Sequence, residues 1–357
     1  MIEPIVQIKD VDRRFYERSL RDFLPPRIID IHTHVWRASD YPPPKTQPPT
    51  GELRFVTWPA RVARENPIED HLRTYRLMLP QQQVTPLIFA SLPEEGNTDR
   101  VNAYVAQCAR ERNLPALIFS DPAWSASELE EKVLAGGFIG IKSYLTMAPA
   151  YLPAKEIRIF DYFPPHQFEL IGRRGWIVIL HIPRDGRLAD PVNLAQMLQI
   201  ERRWPNVRLI VAHVGRAYCN HDVGDAFTVL AESKRMLFDF SANTNDAVFE
   251  QLIRAVGPKR ILFGSDMPVT RMRMRRITQG DHYVNLVPQG LYGDVSGDKN
   301  MGELEGEEAE KLTFFLYEEL DAFRRAAQRA GLKSADLEDV FYNNAKGIID
   351  GARQGSK

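Results

Sequence analysis

Cysteine is nearly absent. Cys108 and Cys219 are the only two in 357 residues, far apart and outside any CxxC spacing. That excludes a disulfide framework and a thiolate zinc site, and it fits a reducing compartment. No apolar run approaches the ~20 residues needed to span a bilayer. The opening MIEPIVQIKD lacks a basic start followed by an apolar core, so no secretory leader is expected and the expected location is cytoplasmic. A net charge of -1 recommends neither nucleic acid nor an anionic membrane as a partner.

What is present is an alternation. Short apolar runs recur at Ile28–His34, Val84–Ser91, Leu114–Asp121, Phe138–Leu145, Trp176–Pro183, Val207–Gly215, Met236–Ser241 and Arg260–Asp266. Amphipathic stretches lie between them: Arg100–Arg112, Ser127–Ala135, Pro191–Arg203, Asp222–Arg235 and Asp246–Val256. Strands joined by helical crossovers predict a parallel sheet, and eight of them predict an α/β (β/α)8 TIM barrel. Runs apolar at every position, such as Trp176-Ile177-Val178-Ile179-Leu180, suit strands buried on both faces. We read residues 1–357 as a single domain with the barrel core at about 27–350. Residues 1–27 form a charged, helical lead-in. Long loops follow strand one (35–66, with Pro42-Pro43-Pro44 and Pro48-Pro49) and strand eight (267–303), and a helical C-terminal section covers Glu303–Ile349.

The strand ends carry the chemistry. His32 and His34 close the first strand, where alternate side chains share a face. Lys142 ends the fourth strand, His181 the fifth, His213 the sixth and Asp266 the eighth. A barrel gathers reactive groups at the C-terminal ends of its strands. A chemically sensible division puts His32, His34, His181 and Asp266 around one divalent metal, zinc or alternatively manganese, with a position left for water. His213 then serves as general base, with Asp266 sharing the proton traffic. Each residue alone has a structural reading: a strand-end histidine usually hydrogen-bonds in the core, and Asp266 suits a turn or helix cap. The convergence of several strand ends carries the functional one. Asp30 has the parity of His32 and His34, which makes it either an acceptor behind the site or a residue of the lower barrel layer. His71, His166, His221 and His282 fall in helical or loop segments and are read as structural or solvent-facing.

The order His-x-His, Lys, His, His, Asp resembles the amidohydrolase superfamily. More specifically it resembles the branch of aminocarboxymuconate-semialdehyde decarboxylase and related metal-dependent hydrolases. The segments that carry the likeness are Ile29–His34, Gly137–Lys142, Val211–Gly215, Ile261–Pro268 and Asn344-Ala345. The resemblance implies His32, His34, His181 and Asp266 as metal ligands and His213 as the catalytic histidine. In binuclear members of that superfamily the lysine of strand four is carboxylated and bridges two metals. The segment around Lys142 is more similar to the single-metal branch, which implies one metal and an unmodified, substrate-facing lysine.

Substrate recognition is read from arginines and aromatics. Arg216 follows His213-Val214-Gly215 and can grip a carboxylate with paired donors. Arg271, Arg273, Arg275 and Arg276 crowd the loop after strand eight, either over an anionic small molecule or paired with acids such as the Glu303–Glu310 cluster. Trp36, Arg37, Tyr144 and Tyr283 are candidate pocket walls. The expected function is metal-dependent hydrolysis of a C–O or C–N bond in a small carboxylated compound. Decarboxylation or hydration on the same site is the alternative, and a non-catalytic, ligand-binding barrel is the second. No nucleic-acid or membrane partner is expected; an apolar outer face on the C-terminal helices would suit a homodimer.

Overall fold

The apolar runs pair side by side in parallel. The computed structural model describes residues 6–42, 54–94 and 96–355. Strands β3 (Ile118–Phe119), β4 (Gly140–Lys142), β5 (Ile177–Leu180), β6 (Arg208–Val211), β7 (Leu237–Asp239) and β8 (Ile261–Leu262) form one six-stranded parallel sheet in sequence order. Strands β1 (Arg27–His34) and β2 (Gln83–Phe89) form a second parallel pair. A few backbone hydrogen bonds join the two sheets at each margin. Ile88 N donates to Pro115 O and Leu117 N to Ile88 O at one; Ile31 N donates to Phe263 O, Asp266 N to His32 O and His34 N to Met267 O at the other. The ladder itself is not continuous across these margins.

Alternate residues of the strands sort into two cores. Ile29, Ile31, Leu117, Ile177, Ile179 and Ile210 pack with Ala345 and Ile349 of the C-terminal helix Asn344–Gly355. Ile28, Ile141, Val178, Leu209, Val211 and Phe238 pack instead with the connecting helices. This two-sided burial explains the apolar strands read in the sequence.

Helix starts obey local chemistry. Ser125 accepts from Glu128 N, Asn245 from Val248 N, and Asp190 from Val192 N and Asn193 N. Helices cover Thr98–Arg112, Ala126–Gly136, Pro191–Arg203 and Asp246–Val256, as expected. The expected helix over Asp222–Arg235 shrinks to Ala226–Leu230. Gly224, at φ +47°, interrupts its start.

The segment after β8 is also more ordered than a loop. Strands β9 (Arg275–Gln279), β10 (His282–Pro288) and β11 (Met301–Leu304) make a small sheet in which β9 and β10 are antiparallel. The turn between them is Gly280-Asp281, with Gly280 at φ +61°. Of the proline-rich loop after β1, residues 43–53 lie outside the described residues. No helix among the described residues is long and apolar enough to cross a membrane.

Candidate active site

A register shift between Asp30 and Thr33 interrupts β1 just before its histidines. Simple alternation therefore does not carry Asp30 along with His32. Its carboxylate accepts from Tyr75 Oη at 2.6 Å and from the backbone N–H groups of Ser265 and His32 at 2.9 and 3.2 Å. Burial pushes its pKa up to about 7, against the pull of those donors. Asp30 thus clamps the end of β1 to the end of β8.

The crossing of those two ends is tight. A Cβ on Gly264 would lie 2.8 Å from His32 Cβ, so glycine is required for close approach, not for an unusual φ. Beyond it, Asp266 adopts φ +58°, as His213 adopts φ +56° after β6 and Ala242 φ +48° after β7. Non-glycine residues held in this region cluster where side chains must be aimed.

His32, His34 and Asp266 converge. Asp266 Oδ1 lies 3.2 Å from His34 Nε2 and 3.6 Å from His32 Nε2. Each ring is held from behind: His34 Nδ1 lies 2.9 Å from Ala90 O, and His32 Nδ1 lies 2.9 Å from Asp239 Oδ2. With Nδ1–H donating backwards, both Nε2 atoms present lone pairs to a carboxylate oxygen. Acceptors facing acceptors are repulsive unless a cation sits among them. The donor set therefore fits a divalent metal. Burial, chiefly, lowers the pKa of His32 to about 4, which keeps its ring neutral and able to ligate. Asp266 is pushed up by burial, but the His34 contact and the neighbouring imidazoles outweigh this and hold it at about 2.

His181 and His213 stand beside this trio. Their ring centroids are 5.3 Å apart, and that of His213 is 4.9 Å from that of His32. His181 lies outside the tight cluster of potential ligand atoms, yet its Nδ1 is buried without a partner among the described residues. An unpaired buried imidazole nitrogen is what a missing ligand bond leaves behind. Its pKa falls well below the usual range through burial and the nearby Arg216. His213 Nδ1 meets Ser241 O at 3.0 Å and Ser241 Oγ at 2.9 Å, which leaves Nε2 for the cavity. Burial lowers its pKa too, which favours the neutral ring that can accept a proton.

Asp239, at the end of β7, was not picked out in the sequence. It joins His32 and His213 in a second group of potential ligand atoms, but its oxygens are already engaged. Oδ1 accepts from His213 N at 2.9 Å and Ser241 Oγ at 2.6 Å, while Oδ2 faces His32. An acid inside the apolar run Met236–Ser241 was the available signal. Lys142 is 2 % exposed, and burial lowers its pKa to about 8 despite the attraction of Asp239 and Asp266.

His32, His34, Lys142, His181, His213 and Asp266 line one cavity of about 940 Å³, with Asp239 behind it. Of the expected walls, Trp36, Tyr144 and Tyr283 also line it. Arg37 instead pairs with Asp40 and covers Tyr104. Arg216 is not among the lining residues; its Nη1 donates to the carbonyls of Ile182, Pro183 and Arg184. Arg271 donates to Asn66 and Arg273 to Asp12, both buried, so neither borders the cavity, whereas Arg276 does. A separate group, Cys219, His221 and Asp222, is bound up with Arg187, which pairs with Asp222 at 2.6 Å.

The amidohydrolase family model matches residues 29–284, the span from the first strand to β10. The chain belongs to the amidohydrolase family. No curated protein matches it in sequence. Among solved structures it is similar to an amidohydrolase from Burkholderia multivorans with bound HEPES, at 13 % identity and a TM-score of 0.56 over 90 % of this chain and 99 % of that one. It is similar also to a dihydroxybenzoic acid decarboxylase from Polaromonas sp. JS666 with bound manganese and 2-nitroresorcinol (15 %, 0.52, 91 % and 97 %). A third is a Pseudomonas putida protein assigned as a 2-pyrone-4,6-dicarboxylic acid hydrolase (14 %, 0.52, 92 % and 99 %). At these identities the likeness concerns the fold of the amidohydrolase chain.

Proposed function

We propose that this amidohydrolase is a metal-dependent hydrolase acting on a C–O or C–N bond of a small carboxylated compound. Its parallel strands are read as one (β/α)8 barrel and one catalytic domain. The observation that carries the reading is the convergence of two backward-anchored imidazoles and Asp266 Oδ1, with His213 alongside at the cavity floor.

His32, His34, His181 and Asp266 would hold one divalent ion, zinc or manganese. When bound, such an ion supplies a nucleophilic water at neutral pH and polarises a carbonyl. His213 Nε2 faces the cavity as the proton acceptor, and its Nδ1–H stays on Ser241. Asp266 Oδ1 faces the imidazoles, so Oδ2 is left to take and return a proton to the leaving group. Lys142 Nζ offers a positive charge toward substrate oxygen. The mostly apolar wall excludes water around it.

The decarboxylase alternative uses the same residues. There a proton is delivered to carbon as carbon dioxide leaves. The fold shared with a dihydroxybenzoic acid decarboxylase supports keeping it in view.

The test is metal content per chain, on protein purified without added metal or chelator, in wild type and His32→Ala. One equivalent, lost in the variant, is expected. Absence of metal even after reconstitution overturns the reading. On the metal-loaded enzyme, turnover of lactones or amides supports hydrolysis, and carbon dioxide release from carboxylated aromatics supports the alternative.

A further inference from the structure

Of Arg271, Arg273, Arg275 and Arg276, Arg276 is the one that borders the cavity. Arg273 is neutralised by Asp12 at 2.6 Å, and Arg187, across the same tyrosines, by Asp222. Arg276 makes no ion pair among the described residues. Its Nε donates to Asn285 Oδ1 at 2.9 Å and its Nη1 to Ala242 O at 2.7 Å, both neutral acceptors. Its Cζ sits 4.3 Å from the Tyr283 ring centroid, 4.5 Å from that of Phe315 and 5.1 Å from that of Tyr218. Nη2 makes no hydrogen bond among the described residues, and the residue borders the cavity.

A guanidinium so placed has lost much of its hydration without gaining a counter-charge, an arrangement that strongly favours an anion. Two hydrogen bonds and three rings fix its plane, so little side-chain freedom remains to be lost when an anion binds. Burial lowers its pKa, and no carboxylate is among the groups acting on it. Tyr218 bridges to the chemistry: its ring lies 6.4 Å from that of His213 and 5.1 Å from Arg276 Cζ.

We propose that Arg276, carried into the cavity by the β9–β10 hairpin, holds the carboxylate of a substrate whose aromatic body lies against Tyr218. This rests on reading the cavity as the active site and names its substrate class: an aromatic carboxylate, bound within one ring's width of His213. The hairpin is thereby a specificity element, and its Gly280-Asp281 turn sets the register that puts Arg276 opposite Asn285.

The test is calorimetric titration of the full chain, metal content known, with benzoate and with neutral benzamide. Wild type is expected to bind benzoate in preference to benzamide. Arg276→Met is expected to weaken benzoate by about tenfold or more, while benzamide binding and metal content stay as in wild type. Asn285→Asp keeps the arginine but gives it an internal partner; it should weaken benzoate likewise, and it decides the matter if Arg276→Met does not fold. Unchanged benzoate affinity in both variants overturns the proposal. So does an equal loss of both ligands, which would make Arg276 a packing residue, and so does a wild type that does not bind benzoate. Arg276-dependent benzoate binding by a chain that takes up no metal would uphold this inference while the hydrolase reading fails.

Discussion

Asp239 Oδ2 lies 2.9 Å from His32 Nδ1, while Oδ1 of the same carboxylate accepts from His213 N and Ser241 Oγ. One buried acid therefore sets the tautomer of a proposed ligand and the backbone of the proposed base. Burial pushes its pKa up, but His32 and its hydrogen bond, with His213 and Ser241, outweigh that and hold the carboxyl below its ordinary range. Ligating histidines are commonly anchored in this way, and the anchor raises the basicity of the free nitrogen.

Asp239→Asn should therefore damage metal binding without touching a ligand. An amide cannot accept on both sides: it must offer N–H either to His213 N–H or to His32 Nδ1. The second choice moves the His32 proton to Nε2, where it blocks ligation. Metal affinity is expected to fall by about 10- to 100-fold. Competition with a chelator of known strength measures it, and unchanged affinity would show that Asp239 does not orient His32.

Gly264→Ala tests the crossing of β1 and β8. The added methyl would lie 2.8 Å from His32 Cβ and 3.4 Å from the Cβ atoms of Asp239 and Ser241. Backbone must shift, at a cost of about 1–3 kcal/mol. The shift displaces His32 directly, so metal content should fall in protein that still folds. Urea unfolding and elemental analysis, run together, separate the two effects.

Strand ends were legible because their rule is simple: apolar runs bury on both faces, and a polar residue closing one is conspicuous. His32, His34, Lys142, His181, His213 and Asp266 were found that way, and all line the cavity. Asp239 was equally visible in principle, but it lies behind the site and not in it. The Gly280-Asp281 turn was a readable hairpin signal inside what looked like an irregular loop. Arg216 and Arg276 could not be ranked in advance. Which guanidinium reaches the cavity depends on tertiary partners: three backbone carbonyls for Arg216, and Asn285 with Ala242 for Arg276. Asp30 is the acceptor behind the site that its place in β1 allowed, but it reaches that position across a register shift between Asp30 and Thr33 that no local pattern announces.

The N-terminal lead-in is bonded to the segment after β8 through charge. Arg273 Nη2 lies 2.6 Å from Asp12 Oδ2 and Nη1 lies 2.9 Å from Oδ1, with Thr313 Oγ1 adding a 2.7 Å hydrogen bond. Asp12 is fully buried. Removing one member strands the other, so Asp12→Ala or Arg273→Met should cost about 3–5 kcal/mol each. The double variant should recover part of that loss, because no lone charge remains. Denaturant titration of the full cycle checks this, and strict additivity of the two losses would deny the pairing.

Glu319 makes the pH prediction. It is fully buried in the helix Phe315–Ala330, its Oε2 accepts from Ala242 N at 2.7 Å, and its Oε1 has no partner among the described residues. Burial raises its pKa well above the ordinary value, and the charges of Asp30, Asp266 and Asp239 add to that. The folded state therefore keeps this proton at pH values where the unfolded chain releases it. With more protons bound folded than unfolded, stability falls as pH rises above the ordinary Glu value of 4.5, until the folded-state pKa is reached. Glu319→Gln keeps the acceptor for Ala242 N and abolishes the titration. The variant should gain stability relative to wild type as pH increases from about 4.5 toward 8, whatever its offset at low pH. Urea unfolding across that range reads the difference directly. A difference that stays flat with pH would mean that Glu319 is ionised in the folded protein, and that the acid beneath Ala242 is charged.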